Sequence, residues 1–166
     1  MDSIDNILLE SINPESYDLS YTCLLIPCLA SRHLQGNLAE CLSQWMKQIC
    51  TSHKWWLEFL TVDANYFQWG LRVVPSTQTS QFMQVIRQKT SEMILSAFEN
   101  IRNESSVNDF WAPGYLVVLG SRPHPKEMIE QYVRMSRRQQ EAFPIQSLES
   151  TSEPDGFRLS AGRPGQ

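Results

Sequence analysis

Two strand-length runs, Trp55 to Val62 and Tyr66 to Val74, are separated by only three residues, Asp63-Ala64-Asn65. A parallel pair needs a crossover of about a dozen residues or more, so these runs can pair only as an antiparallel hairpin. Pro75 ends the second run. Within it Phe67, Trp69, Leu71 and Val73 alternate with Gln68, Gly70 and Arg72. Strand side chains alternate between faces, so the first set is expected in the core and the second on the other face, with Tyr66.

The remaining elements arrange themselves around this hairpin. Leu19 to Pro27 is an apolar, strand-like run. Asn37 followed by Glu40 has the spacing of a capping box. Behind it Leu38, Cys41, Leu42, Trp45, Met46 and Ile49 recur at helical spacing. Phe82, Val85, Ile86, Met93, Ala97 and Phe98 form one face of a second helix. Tyr115 to Leu119 is a fourth strand, entered through Pro113-Gly114 and left through Gly120. Pro125 suits the first position of a third helix, which runs to about Arg138. The order β-α-β-β-α-β-α predicts an α+β protein: a ferredoxin-like split βαβ, with an antiparallel sheet and helices on one face. That fold hosts many activities, so it does not by itself assign one.

With 166 residues, 42% of them hydrophobic, the chain can fill one core. Three segments are expected: an acidic N-terminal segment over 1–16, a folded domain over 17–143, and a flexible tail over 144–166, rich in Ser, Pro and Gly. Residues 1–20 carry five acidic and no basic side chains, whereas 21–144 carry 12 basic and 10 acidic. The net charge of −4 argues against a strongly basic nucleic-acid binder but allows one local basic face. No apolar run is long enough to span a membrane, and Met1 to Glu10 lacks the basic start of a signal peptide. Cys23, Cys28, Cys41 and Cys50 form no CxxC pair and read as small buried hydrophobes, with a zinc site or a disulfide framework as the lesser alternatives. A reducing, cytoplasmic location fits them best.

Three segments, in order, carry a resemblance: Leu34-Gln35-Gly36-Asn37-Leu38-Ala39-Glu40 opening the first helix; Val62 to Pro75 with the helix at Ser80; and Phe110-Trp111-Ala112-Pro113-Gly114-Tyr115-Leu116-Val117, leading through Gly120 to Ile129-Glu130-Gln131-Tyr132-Val133. Together they resemble the single-tyrosine HUH transposases of bacterial insertion sequences and their REP-associated relatives, over roughly residues 17–140. The resemblance implies metal-dependent cleavage of single-stranded DNA. A His-hydrophobic-His step on the third strand and a glutamine one turn after the tyrosine hold Mg or Mn. The tyrosine attacks the polarised phosphate, leaving a 5′-phosphotyrosine link. It also implies a homodimer in which the tyrosine helix of one subunit serves the other's metal site.

The chain departs from that pattern at the metal. The two histidine positions fall on Tyr66 and Gln68, the preceding aspartate position on Asn65, and the glutamine position on Ser136. None of His33, His53 or His124 is placed by spacing to substitute. A phenol and a carboxamide are poor ligands for a catalytic divalent ion, so no metal or other cofactor is expected. Tyr132 remains as the candidate nucleophile. With an ordinary phenol pKa and no metal it is expected to be inert, and packing on an amphipathic helix is an alternative role for it.

Arg134, Arg137 and Arg138, with Arg87 and Lys89 on the second helix, are candidate nucleic-acid contacts. The first three also suit the C-terminal end of a helix dipole. Tyr66 and Gln68 either form an ordinary exposed strand or hold a base by stacking and hydrogen bonding. One of Trp55 and Trp56 should enter the core, leaving the other as a dimer or base-stacking contact. The leading expectation is a transposase-family homodimer that has lost cleavage and binds single-stranded DNA or RNA, or an unidentified protein partner. The alternatives are an active DNA transposase and a structural adaptor without nucleic acid.

Overall fold

The computed structural model describes residues 18–104 and 109–142; the acidic segment 1–16 and the tail 144–166 lie outside the described residues. The chain divides into two compact units, residues 1–129 and 130–166. The first contains strands β1 (Leu19–Leu25), β2 (Trp56–Val62), β3 (Phe67–Val73) and β4 (Leu116–Leu119). It also contains helices α1 (Asn37–Ser52), α2 (Thr79–Ala97) and the short α3 (Glu99–Glu104). Helix α4 (Lys126–Ala142) begins in the first unit and supplies the described part of the second.

The strands form one sheet in the order β2-β3-β1-β4, and every neighbouring pair is antiparallel. This is the α+β, split-βαβ arrangement expected: β3 lies between β1 and β2, which α1 connects. The turn closes because the Asp63 N–H donates to the Tyr66 carbonyl at 2.9 Å and the Asn65 N–H donates to the Asp63 carboxylate at 3.1 Å. An aspartate that bonds backbone two residues on is a standard turn device.

Alternation in β3 sorts its side chains as expected. Phe67, Trp69, Leu71 and Val73 are all buried, with Cys23 and Leu25 of β1 on the same face. Leu42, Met46 and Ile49 of α1 and Phe82, Met83 and Ile86 of α2 complete this core. The Phe67 ring lies 4.8 Å from Trp69 and 5.8 Å from Trp111, centroid to centroid. Truncating one such aromatic to alanine typically costs about 3–5 kcal/mol, so this cluster is a large share of a domain's net stability.

Two helix starts differ by one residue from expectation. Asn37 is the first residue of α1 rather than its cap; the cap is Gly36, at φ 64° and ψ −138°, with no side-chain cap bond. Glycine reaches that left-handed backbone without a Cβ penalty, so the chain turns one position early. Pro125 precedes α4, where its carbonyl accepts from the Met128 and Ile129 N–H groups at 3.0 and 3.2 Å. The short helix α3 has too few residues to show a periodicity and was not anticipated.

The other face of the sheet carries an aromatic in place of a side chain on Gly70. Phe59 of β2 pairs with Gly70, and a Cβ on Gly70 would meet the Phe59 ring at 2.3 Å. Gly70→Ala is therefore expected to lower the unfolding free energy by about 1–3 kcal/mol, the usual range for overpacking. Urea denaturation of Gly70→Ala and of Gly70→Ala/Phe59→Leu checks this: the smaller residue at 59 should recover part of the loss.

Candidate functional site

Arg87 ties down the loop that leads into β4. Its guanidinium reaches from α2 to the Asp109–Gly114 loop. Nε donates to the Asp109 carboxylate at 2.8 Å, Nη1 to the Gly114 carbonyl at 2.9 Å, and Nη2 to the carbonyls of Trp111 and Ala112 at 3.1 and 2.6 Å. The planar five-donor fork makes one side chain sufficient for all four contacts. Around it the Phe110 N–H donates to Ser91 Oγ at 2.8 Å, and the Trp111 indole N–H to Thr90 Oγ1 at 2.9 Å. The loop is tied to the end of β1 through Cys28 N–H to Phe110 O and Ala112 N–H to Ile26 O, both 2.8 Å. Arg87, expected among the nucleic-acid contacts, thus has its guanidinium committed to the Trp111–Gly114 loop. Lys89 is exposed.

The two positions at which the resemblance expects histidine, Tyr66 and Gln68, lie at the start of β3, and they differ. Tyr66 sits at the turn just before β3 and is half-buried. Burial, then the nearby Asp63 carboxylate, raise its phenol above the usual range, so it is a neutral donor rather than a phenolate. Gln68 was expected on an exposed strand face, but it is only 3% exposed. Its face is covered by the segment between β4 and α4, which the strand pattern alone does not reveal.

That cover is His124. The carboxamide oxygen of Gln68 accepts the His124 backbone N–H at 2.7 Å and lies 2.9 Å from its Nδ1. An oxygen that already accepts a backbone N–H must also face a proton on Nδ1, which fixes this tautomer and leaves the lone pair on Nε2. His124 is 7% exposed, and Nε2 is buried without a hydrogen-bond partner among the described residues. Burial pushes the imidazole pKa below its ordinary value, offset in part by the Thr22 backbone. Thr22 Oγ1 secures the same segment: it lies 2.7 Å from the Arg122 carbonyl and 3.2 Å from that of Gly120. His124 was not expected near this position, because sequence spacing carries no information about a partner 56 residues away. The clue available in the sequence was the His124-Pro125 step immediately before a helix.

The family's divalent ion does not fit this donor set. Both acceptor directions of the Gln68 carboxamide oxygen point at His124 protons, Tyr66 is a protonated phenol, and the paired position before it is Asn65. Among the described residues, no three His, Cys, Asp or Glu side chains come together in a way that could hold a metal. The cysteines are not a metal cluster either. Cys23 and Cys50 are buried thiols: burial raises both, Cys50 to about 12, which keeps them protonated.

Tyr132, Arg134, Ser136, Arg137 and Arg138 all lie on α4, beyond the boundary between the units. At about 100° per residue, Tyr132 and Ser136 share one helix face and the three arginines lie together on the opposite one. The Arg137 guanidinium also bonds Gln140 Oε1 at 2.8 Å.

Comparison with known proteins resolves the family. The model of the IS200-like transposases matches residues 15–136. The chain belongs to the IS200-like transposase family. Two solved structures are similar to this IS200-like chain. One, from Deinococcus radiodurans R1, is provisionally assigned as a transposase; it shares 22% identity at a TM-score of 0.65, over 72% of this chain and 92% of that one. The other is a REP-associated tyrosine transposase bound to a REP hairpin, with 7% identity at a TM-score of 0.47, over 68% of this chain and 61% of that one. No curated protein matches the chain significantly. Among the described residues, no helix is long and apolar enough to cross a membrane.

Proposed function

We propose that this IS200-like chain has lost metal-dependent DNA cleavage and acts as a nucleic-acid-binding or interaction dimer. One observation carries the reading: the carboxamide at the second ligand position is spent on the His124 backbone and ring. A group that fastens a loop in this way has no lone pair directed at an ion. Tyr66 and Ser136 at the other two positions support the same reading, since neither offers an imidazole or a carboxylate. Without a Lewis acid on the phosphate, Tyr132 faces an unpolarised ester.

Binding rests on Arg134, Arg137 and Arg138 along one side of α4, with Lys89 as a further cation and Tyr66 as a stacking surface. The dimer is what the family resemblance implies. Leu119, 64% exposed on the edge strand β4, is apolar surface available to it. The test pairs cleavage with binding. Incubation with hairpin-flanked single-stranded DNA and Mg²⁺ or Mn²⁺ should give no covalent Tyr132 adduct; an adduct would establish the active-transposase alternative. Each phosphate contact contributes about 0.7 to the salt slope of single-strand binding. The triple change Arg134→Ala, Arg137→Ala, Arg138→Ala should therefore flatten the slope by about 2 and weaken binding to all sequences alike. Wild-type protein with no salt-dependent binding would instead support the adaptor.

A further inference from the structure

The sheet face turned away from α1 and α2 is closed at one end and open at the other. Strand pairing and alternation place Thr22, Leu24, Gln68, Arg72 and Trp56 on it. Thr22, Leu24 and Gln68 are buried, and the segment carrying His124 is bonded to the first and third of them. At the opposite end Ser20, Arg72 and Trp56 form a row across β1, β3 and β2. That row is open: Trp56 is 63% exposed, and Val74, the residue after β3, is 53% exposed. We propose that the row is the docking surface for this chain's own acidic N-terminal segment, residues 1–16, with apolar side chains of the segment on Trp56 and Val74 and its carboxylates toward Arg72.

The row offers a flat apolar ring beside a cation with unmet donors. The Arg72 guanidinium lies 4.8 Å from the Trp56 ring centroid. The Glu58 carboxylate is 3.9 Å from Arg72 Nε, beyond hydrogen-bond reach, and Nε is buried without a hydrogen-bond partner among the described residues. Covering an exposed indole removes a large apolar area from water, and a carboxylate brought alongside would meet donors that Glu58 leaves open.

Connectivity, charge and pattern together name the occupant. Leu19 pairs with Val73 and Ser20 with Arg72, so the segment joins the sheet beside the row. Neighbouring strands lie about 4.8 Å apart, which puts Trp56 about 10 Å across from Ser20. Five residues separate Ile12 from Asp18, and extended chain covers about 3.3 Å per residue, enough to fold back over that distance. Residues 1–16 hold four carboxylates, Asp2, Asp5, Glu10 and Glu15, and no Lys or Arg. Ile4, Ile7, Leu8 and Ile12 recur at the spacing of one helix face, with Asp2, Asp5 and Glu10 off it. A helix this short is marginal alone, so the stripe needs a surface. A second copy of the row suits it less, because a two-fold contact would bring two Arg72 side chains into one interface.

Hydrogen–deuterium exchange of the intact chain, read by mass spectrometry, tests the docking. The amides of residues 4–12 should exchange more slowly than in a free peptide of that sequence. Trp56→Ala should abolish most of this protection, and Arg72→Gln should lower it by up to about 5-fold, the scale of an exposed ion pair. From the other side of the contact, Ile7→Ser/Leu8→Ser should abolish the protection and raise acrylamide quenching of tryptophan fluorescence, with no such rise in a Trp56→Phe background. Ile7 and Leu8 lie outside every described strand and helix, so this variant reads the contact without altering the sheet. Thermal melts verify the folding of the Trp56 and Arg72 variants. Exchange at the free-peptide rate in the wild type overturns the proposal. So does protection unchanged by Trp56→Ala, which would seat the segment elsewhere, and so does protection lost on dilution, which would seat it on a second copy.

Discussion

Arg87→Ala should lower the unfolding free energy by about 2–4 kcal/mol, an unusually large effect for a charged side chain at the rim of a core. Removing the guanidinium strips one carboxylate and three carbonyls of their donor at once. Each hydrogen bond to a charged group is worth about 1.5–3 kcal/mol, reduced here because part of the group is wet and the four bonds share one donor plane. Arg87→Lys should recover only a minor part, since a single ammonium cannot span four acceptors. The loop freed by the change contains Trp111, so the native near-ultraviolet circular dichroism should lose the part of its signal that comes from an ordered Trp111. Guanidinium denaturation curves of the wild type and both variants measure the effect. A shift under about 0.5 kcal/mol would mean that Trp111 and its packing hold the loop unaided.

The second large effect is expected at Gln68. Gln68→Leu leaves the His124 backbone N–H and Nδ1–H buried without an acceptor, at about 1–3 kcal/mol for each stranded group. The same site sets a pH dependence whose sign follows from burial. The folded-state pKa of His124 lies below its ordinary value of 6.5, so as pH falls the unfolded chain takes up this proton first. The His124 contribution is therefore complete above about pH 6.5 and is lost as pH drops from there toward the folded-state pKa. One proton gives a slope of at most about 1.4 kcal/mol per pH unit. His124→Asn keeps an N–H able to reach Gln68 but does not titrate, so its stability should be flatter over that interval. Urea midpoints for both proteins between about pH 5 and 7.5 decide the matter. Equal slopes would assign the acid sensitivity to other groups.

How much of this was legible beforehand divides along contact range. The hairpin, the buried face of β3 and the apolar face of α1 follow from alternation and helical spacing, which are local. That one of Trp55 and Trp56 turns inward follows from the same rule; the structure shows that it is Trp55. The order of elements follows from the same local patterns, and the family resemblance drew attention to Tyr66 and Gln68. What sequence could not show was contact across the sheet. Arg87 reads as one more surface cation on a helix until the loop 22 to 27 residues downstream folds onto it. Gln68 reads as exposed until the segment after β4 lies against it. Both cases concern polar side chains, whose partners are set by tertiary geometry rather than by period.

The bond between Gln68 and His124 also bears on the routes through sequence space that lead away from this chain. A histidine at position 68 would have to give up an acceptor oxygen that two buried N–H groups now use, so the segment before α4 loosens as soon as the imidazole arrives. A histidine at 66 confers nothing while 68 is glutamine, and Ser136 still offers no ligand. A single histidine at 66 or 68 supplies one imidazole only, and the one at 68 does so by stranding two buried N–H groups. On the proposed reading, the Gln68–His124 bond works as a latch on the sequence itself: a metal pair at 66 and 68 is reached only through several substitutions made together, the one at 68 at a cost in stability.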